Sequence, residues 1–241
     1  LKQIEAEQYE LSNNEVKSIE WTVPDTFSNP IGQIGFVISS DTNTSGKLLI
    51  NYLDIEGTPK TTFKRPEHIE NAAKNGYFFN QEFYGQLWKR AWVNDIDKWQ
   101  YRWMESFKII NGVGRGHILQ GSSSWKDYSV SSKLNFPLAS AGGLVIRSQG
   151  VKRYYSLELT SKNKLQINKM FYELETLKEV DFNFEFYKDY ELRFAVNGNK
   201  LSGYVDGKLL IETQDKDNSF ESGMIGSVSY THLRAHETEA Y

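Results

Sequence analysis

From Phe107 onward, apolar and polar positions alternate with a period of two. Tyr155, Leu157 and Leu159 oppose Tyr154, Ser156 and Glu158; Leu192, Phe194 and Val196 oppose Glu191, Arg193 and Ala195. In an extended chain this places one face in a core and the other toward water. The rhythm predicts strands at Phe107–Ile110, Gly116–Gln120, Tyr128–Phe136, Ala141–Ser148, Tyr154–Thr160, Lys164–Phe171, Leu174–Val180, Tyr190–Val196, Lys200–Val205 and Lys208–Thr213. Turn residues that tolerate positive φ separate them, most clearly Asn197-Gly198-Asn199 and Asp206-Gly207. Many short strands without intervening helical periodicity imply an all-β antiparallel sandwich or barrel.

Upstream the pattern is coarser. Ile31–Ile38 and Lys47–Ile55 are two apolar runs bounded by Ser, Asn, Gly and Pro, which predicts adjacent strands. Pro59 and Pro66 bracket an extended stretch, residues 67–83 could include a short helix, and residues 84–103 hold four of the six tryptophans. The chain therefore divides into a β unit over 1–66, an aromatic connector over 67–104, a sandwich over 105–227 and a tail over 228–241. The tail, Val228-Ser-Tyr-Thr-His-Leu233 followed by Arg234-Ala-His-Glu-Thr238, resembles the translation in one frame of a transposon-type sequencing adapter. It is accordingly expected to be non-native. His232 and His236 fall within it, so their i, i+4 spacing is not read as a metal site.

Composition narrows the partners. A net charge of −3 with no basic stripe argues against nucleic acid, which needs a dense Lys/Arg surface. No apolar run approaches the roughly 20 residues that span a bilayer, so no membrane partner is expected. The chain has no cysteine, which excludes disulfides and thiol chemistry and favours a reducing, cytoplasmic setting. It opens at Leu1, without Met and within a strand-like pattern, so further sequence is expected upstream.

The segments Gly114-Arg-Gly-His-Ile-Leu-Gln-Gly121, Trp125-Lys-Asp-Tyr128, Ala141-Gly-Gly-Leu-Val-Ile-Arg147, Arg153-Tyr-Tyr155 and Gly203-Tyr-Val-Asp-Gly207 together resemble laminin-G-like, concanavalin-type sandwiches. With Ile34-Gly35, Tyr52-Leu53-Asp54, Gly57-Thr58-Pro59 and Arg90-Ala91-Trp92-Val93, the order of motifs over about 30–226 is similar to the C-terminal accessory region of bacterial ADP-ribosylglycohydrolase family proteins. The resemblance implies a separate, upstream, helical catalytic domain with acidic metal-binding clusters; no such region is found in this chain. The first segment resembles the closing strands of a galactose-binding-like jelly roll. The laminin-G likeness also implies a closing strand after Gly226. With the tail in its place, a sheet edge is expected to lie unpaired.

Candidate chemistry is sparse. Tyr84, Trp88, Trp92, Trp99, Tyr101 and Trp103 suit either a sugar-stacking platform or burial at the junction of the two β units; burial is favoured because each indole removes about 150–250 Å² from water. Trp125 stands at a strand start, either in the core or at a rim. Arg147, Arg153 and Tyr155 meet around one hairpin, where guanidinium groups beside aromatic rings could hold a hydroxyl pair or an anionic group. The alternatives are an arginine bridging a local carboxylate or stacked on a ring. These four, Trp125, Arg147, Arg153 and Tyr155, are the candidate ligand-binding residues. No catalytic residue and no cofactor are expected. Asp41, Asp54, Asp206, Asp215 and Asp217 sit in or beside turns, where a structural calcium could be held by carboxylates and carbonyls, with Asp215 and Asp217 contributing. Glu173, Glu175, Glu179, Asp181 and Glu185 lack the spacing of a glucanase strand. His68 and His117 lie far apart in sequence, with no nucleophile beside them.

The expected function is a non-catalytic accessory module of an ADP-ribosylglycohydrolase-type protein, binding carbohydrate or an ADP-ribose-like glycoside or docking on an intramolecular catalytic domain. The competing expectations are a glycoside hydrolase on a concanavalin-like sandwich and a purely structural docking module.

Overall fold

A computed structural model describes residues 3–24, 31, 33–43, 45–54, 62–63, 92–100 and 107–231. Residues 107–231 build a two-layer antiparallel sandwich. The strands of this stretch are β3 (Lys108–Ile110), β4 (Gly114–Gln120), β5 (Tyr128–Asn135), β6 (Ala141–Gly150), β7 (Arg153–Thr160), β8 (Lys164–Phe171), β9 (Glu173–Asp181), β10 (Asp189–Asn197), β11 (Lys200–Val205), β12 (Lys208–Gln214) and β13 (Met224–Thr231). Two short strands precede them, β1 (Val93–Asn94) and β2 (Lys98–Gln100). One sheet runs β1-β4-β13-β6-β7-β8-β9, the other β12-β11-β10-β5, and β2 pairs with β3 as a small ribbon. All pairings are antiparallel.

The alternation read from sequence becomes the core. Leu144, Ile146, Tyr155, Leu157, Leu159, Leu165 and Ile167 of the larger sheet meet Tyr190, Leu192, Phe194, Val196, Leu201 and Ile211 of the smaller one. Most of these side chains are fully buried, each contributing about 1.5–3 kcal/mol relative to exposure. The opposite face of the larger sheet carries Leu119, Val145, Tyr154, Met170 and Val228. Beside them on β4 and β7 lies a buried polar set in which Glu158 accepts from Arg115 Nη1 at 2.6 Å and from Ser156 Oγ at 2.5 Å. His117, without a visible partner in sequence, contacts Asp95 through Nδ1 at 3.1 Å, and its backbone N–H donates to the same carboxylate at 2.5 Å. Burial, outweighing the pull of Asp95, holds the His117 imidazole below its ordinary pKa.

Two expectations are corrected. The closing strand is present: β13 lies inside the larger sheet between β4 and β6, with Val228 opposite both His117 and Gly143 and Tyr230 opposite both Arg115 and Ala141. Val228 is only 2% exposed. Val228-Ser-Tyr-Thr231 is itself β-branched and aromatic, which suits a strand, and no edge opens at that position. The second correction concerns the jelly-roll-like unit. Residues 33–43 and 45–54 form no strand, and Val37 and Leu49 are 89% and 80% exposed. An apolar run becomes a strand only when a ladder satisfies its backbone, and no pairing partner for these runs is found among the described residues. The helix expected over 67–83 lies outside the described residues, as do Tyr84, Trp88, Tyr101, Trp103, His232 and His236.

Trp92 and Trp99 are half-buried. With Phe63 and Phe107 they form a chain of rings at centroid distances of 5.4–6.0 Å, and Phe63 lies 6.3 Å from Trp125 at the sandwich. For these two tryptophans, packing rather than open display is what the geometry shows.

Candidate functional site

The loop joining β12 to β13, residues 215–223, organises one end of the sandwich. A shallow recess of about 520 Å³ opens over it, lined by Gln149 and Arg153 of the β6–β7 hairpin, Phe171 of β8, and Asn218, Ser219, Phe220, Glu221 and Ser222 of the loop. The Arg153 guanidinium lies over the Phe171 ring at 5.3 Å and the Phe220 ring at 5.7 Å. Its Nε is buried with no hydrogen-bond partner, and the residue makes no ion pair among the described residues. A cation held over two rings inclined at 49° to each other, beside a carboxylate, two amides and two hydroxyl groups, offers directional polar contacts next to an apolar surface.

Three of the four candidate residues lie beneath or behind this loop instead of in the recess. Arg147 is 3% exposed. Strict alternation would set it beside Val145 on the outer face, but β6 is irregular between Ile146 and Gly150 and Arg147 adopts φ 46°. Such a bulge re-aims a side chain. Its Nη1 donates to the carbonyls of Gly198 and Phe220, both at 2.6 Å, its Nε to Lys126 O at 3.1 Å and its Nη2 to Asp127 at 2.9 Å. One guanidinium thus ties the β10–β11 turn, the segment before β5 and the 215–223 loop together. The expectation that Arg147 touches ligand is corrected: all its donor nitrogens are engaged internally.

Tyr155 is corrected in the same way, at 1% exposure. Its hydroxyl donates to Asp215 Oδ2 at 2.5 Å and accepts from Phe220 N at 2.9 Å. Lys169 Nζ lies 2.6 Å from the same Asp215 oxygen and also donates to Asp217 O. Asp215 Oδ1 accepts from Asp217 N at 3.1 Å. Burial alone would raise the Asp215 carboxyl, but the contacts from Lys169, Tyr155 and Asp217 N prevail and hold it below the usual aspartate value. Burial pushes the Tyr155 phenol up, as does Asp215, so it stays protonated and able to donate. Both Asp215 oxygens are thereby occupied, Oδ2 by a resident ammonium, where the calcium expectation required them open. Among the described residues no group of three or more His, Asp or Glu is arranged to hold a metal ion.

Trp125 is half-buried, edge-on to Tyr128 at 6.2 Å. Its ring lies against Gly121, where a Cβ would fall 2.2 Å from the indole. Its carbonyl accepts from Gly223 N at 2.9 Å, fixing the end of the loop. Gly223 itself has φ 152°, and a Cβ there would meet the Arg147 backbone at 2.4 Å, so only glycine fits this close approach. Gln149 Nε2 adds a bond to Ser222 O at 3.2 Å. Of the sequence candidates, only Arg153 faces the recess. The loop residues Asn218–Ser222 were missed because a polar stretch between strands carries no signal of what lies beneath it.

No protein-family profile matches the chain, and no curated protein does. Among solved structures, a carbohydrate-binding module (CBM66) from Bacillus subtilis superposes with a TM-score of 0.53 at 20% identity, over 58% of this chain and 88% of that one. The galectin LEC-6 from Caenorhabditis elegans gives a TM-score of 0.34 at 15% identity, over 49% and 79%. A GH43 protein from Bacillus licheniformis gives 0.41 at 18%, over 64% and 35%. At these identities the first likeness establishes the β-sandwich fold and nothing finer; the other two are too distant to argue from.

Proposed function

We propose that this chain is a non-catalytic carbohydrate-binding module whose ligand sits in the recess around Arg153. The observation that carries the reading is the Arg153 guanidinium, over Phe171 and Phe220 and without an ion pair among the described residues, in a recess whose remaining lining is amide, hydroxyl and one carboxylate. The exposed Phe171 ring suits the C–H face of a sugar, and the polar rim suits its hydroxyls, while the buried Phe220 ring supports the guanidinium from beneath. The superposed Bacillus subtilis structure is a carbohydrate-binding module on the same fold, which supports the reading without assigning a ligand. Glycoside hydrolysis needs two carboxyl groups about 5–10 Å apart, and the recess is lined by one, Glu221. The finer reading is an accessory module beside an upstream catalytic domain of ADP-ribosylglycohydrolase type, taking carbohydrate or an ADP-ribose-like glycoside. It is supported by the order of motifs from Ile34-Gly35 to Arg90-Ala91-Trp92-Val93.

A glycan array probed with the wild-type chain and with Arg153→Ala tests this. Discrete hits that vanish in the variant are expected. An empty array, or hits indifferent to the substitution, would overturn the site. Enzyme-like turnover of a bound glycan would overturn the non-catalytic reading.

A further inference from the structure

The outward face of the smaller sheet carries a second feature, remote in construction from the 215–223 loop. Its register lays side chains out in rows across the strands. Ser131 of β5, Arg193 of β10 and Tyr204 of β11 stand opposite one another in one row. In the next row stand Ser129, Ala195, Ser202 and, on β12, Glu212. In the row beyond, Asn197 faces Lys200. Three small side chains side by side leave a depression, walled on one side by Arg193 and Tyr204 and on the other by Asn197 and Lys200. The result is a trough of about 440 Å³, with Asp127 at its end.

The charges in this trough are not equivalent. Lys200 Nζ is paired with Glu212 at 3.0 Å, and Glu212 also accepts from Ser202 Oγ at 3.0 Å. Asp127 is held by Arg147 and by Gly198 N. Arg193 differs. Its guanidinium lies flat on the Tyr204 ring at 3.6 Å, and among the described residues it makes no ion pair. A cross-strand aromatic platform fixes the plane of a guanidinium while leaving its fork of N–H donors unused. A planar fork in that state matches a carboxylate bidentately.

We propose that this trough is a second binding site, for a carboxylate-bearing saccharide, with the sugar ring over Ser129, Ala195 and Ser202 and its carboxylate on Arg193. Serine hydroxyls and Asn197 supply hydrogen bonds to ring hydroxyls, while the small Ala195 leaves room for the ring. Arg193 supplies the selection for charge. The site is independent of the Arg153 recess in both residues and ligand charge.

Calorimetric titration of the full chain with tetragalacturonate and, separately, with N-acetylneuraminic acid tests the proposal and distinguishes the two sources of carboxylate. At least one is expected to bind, with affinity that falls as salt rises from about 50 to about 500 mM. Arg193→Gln should weaken that binding about tenfold or more, methyl-esterification of the ligand should do the same, and Arg153→Ala should leave it unchanged. Ser129→Trp, which fills the trough without touching the charge, should abolish it. Because residues 129 and 193 are exposed, both variants are expected to keep the wild-type melting temperature. Failure of both acids to bind the wild-type chain, or equal affinity in Arg193→Gln, would overturn the proposal. Loss of binding in Arg153→Ala would move the acid to the loop recess and overturn it equally.

Discussion

The two sides of the 215–223 loop are built from similar residue types and do opposite things. Underneath, Arg147, Tyr155, Lys169 and Asp215 are buried, and their polar groups meet one another or the loop backbone. On top, Arg153 lies over aromatic rings and makes no ion pair among the described residues. Of two arginines six residues apart, one thus serves as a post and the other lines the recess. Residue type alone does not separate them. What separates them is whether the guanidinium has acceptors that the fold itself provides. The underside should therefore report in stability, and the top in binding.

The largest expected effect lies underneath. Arg147→Ala leaves the carbonyls of Gly198, Phe220 and Lys126 without their donor and Asp127 without its partner. A loss of about 3–5 kcal/mol is expected in a denaturant titration, and the 215–223 loop should become protease-sensitive. A loss under about 1 kcal/mol would show that the contacts do not hold the loop. Next comes Tyr155→Phe, which removes one hydroxyl that both donates to Asp215 and accepts from Phe220 N. Its expected cost is about 1–3 kcal/mol in the same titration, with the fold retained.

Acidification should act in two stages at two separate places, first at His117 on the outer face of the larger sheet and then at Asp215 beneath the loop. His117 has its folded pKa lowered, so its neutral, buried form stabilises the fold above about pH 6.5, and this contribution drains away as pH falls through the folded value. Asp215 is also lowered. Its contribution is complete above about pH 4 and is lost only below that, as the carboxylate protonates. Melting temperature followed against pH should fall first in the His117 window, a fall absent in His117→Gln, and again in the Asp215 window. A melting temperature flat between pH 7 and pH 3 would contradict both assignments. The smallest stability effect belongs to the top of the loop: Arg153→Ala removes only stacking on two rings, about 1 kcal/mol or less.

The strands of the sandwich were legible because alternation is local. Lys164–Phe171 and Lys200–Val205 match residue for residue. What was not legible depends on pairing. Ile31–Ile38 and Lys47–Ile55 carry as strong an apolar signal as β6, yet their described residues form no strand, since a strand exists only with its partner. The closing strand was expected to be missing, yet Val228–Thr231 fills the gap between β4 and β6. Arg147 sat in a simple alternating run, and nothing in that run announces the irregularity and positive φ that turn it toward the loop. Arg153 and Tyr155, two apart on β7, share one face of the strand, so alternation cannot tell them apart; what separates them is the position of Arg153 at the strand's end and the long-range contact of Tyr155 to Asp215, sixty residues on.

The most direct measurement is a paired one: calorimetric titration of the strongest neutral glycan from the array into wild type, Arg153→Ala and Tyr155→Phe, with a melting curve for each. Arg153→Ala should lose about tenfold or more in affinity while melting like wild type. Tyr155→Phe should melt lower yet bind within about twofold of wild type at a temperature where both are folded. If Arg153→Ala binds as well as wild type, the recess is not the ligand site and the account of the loop's upper side is wrong.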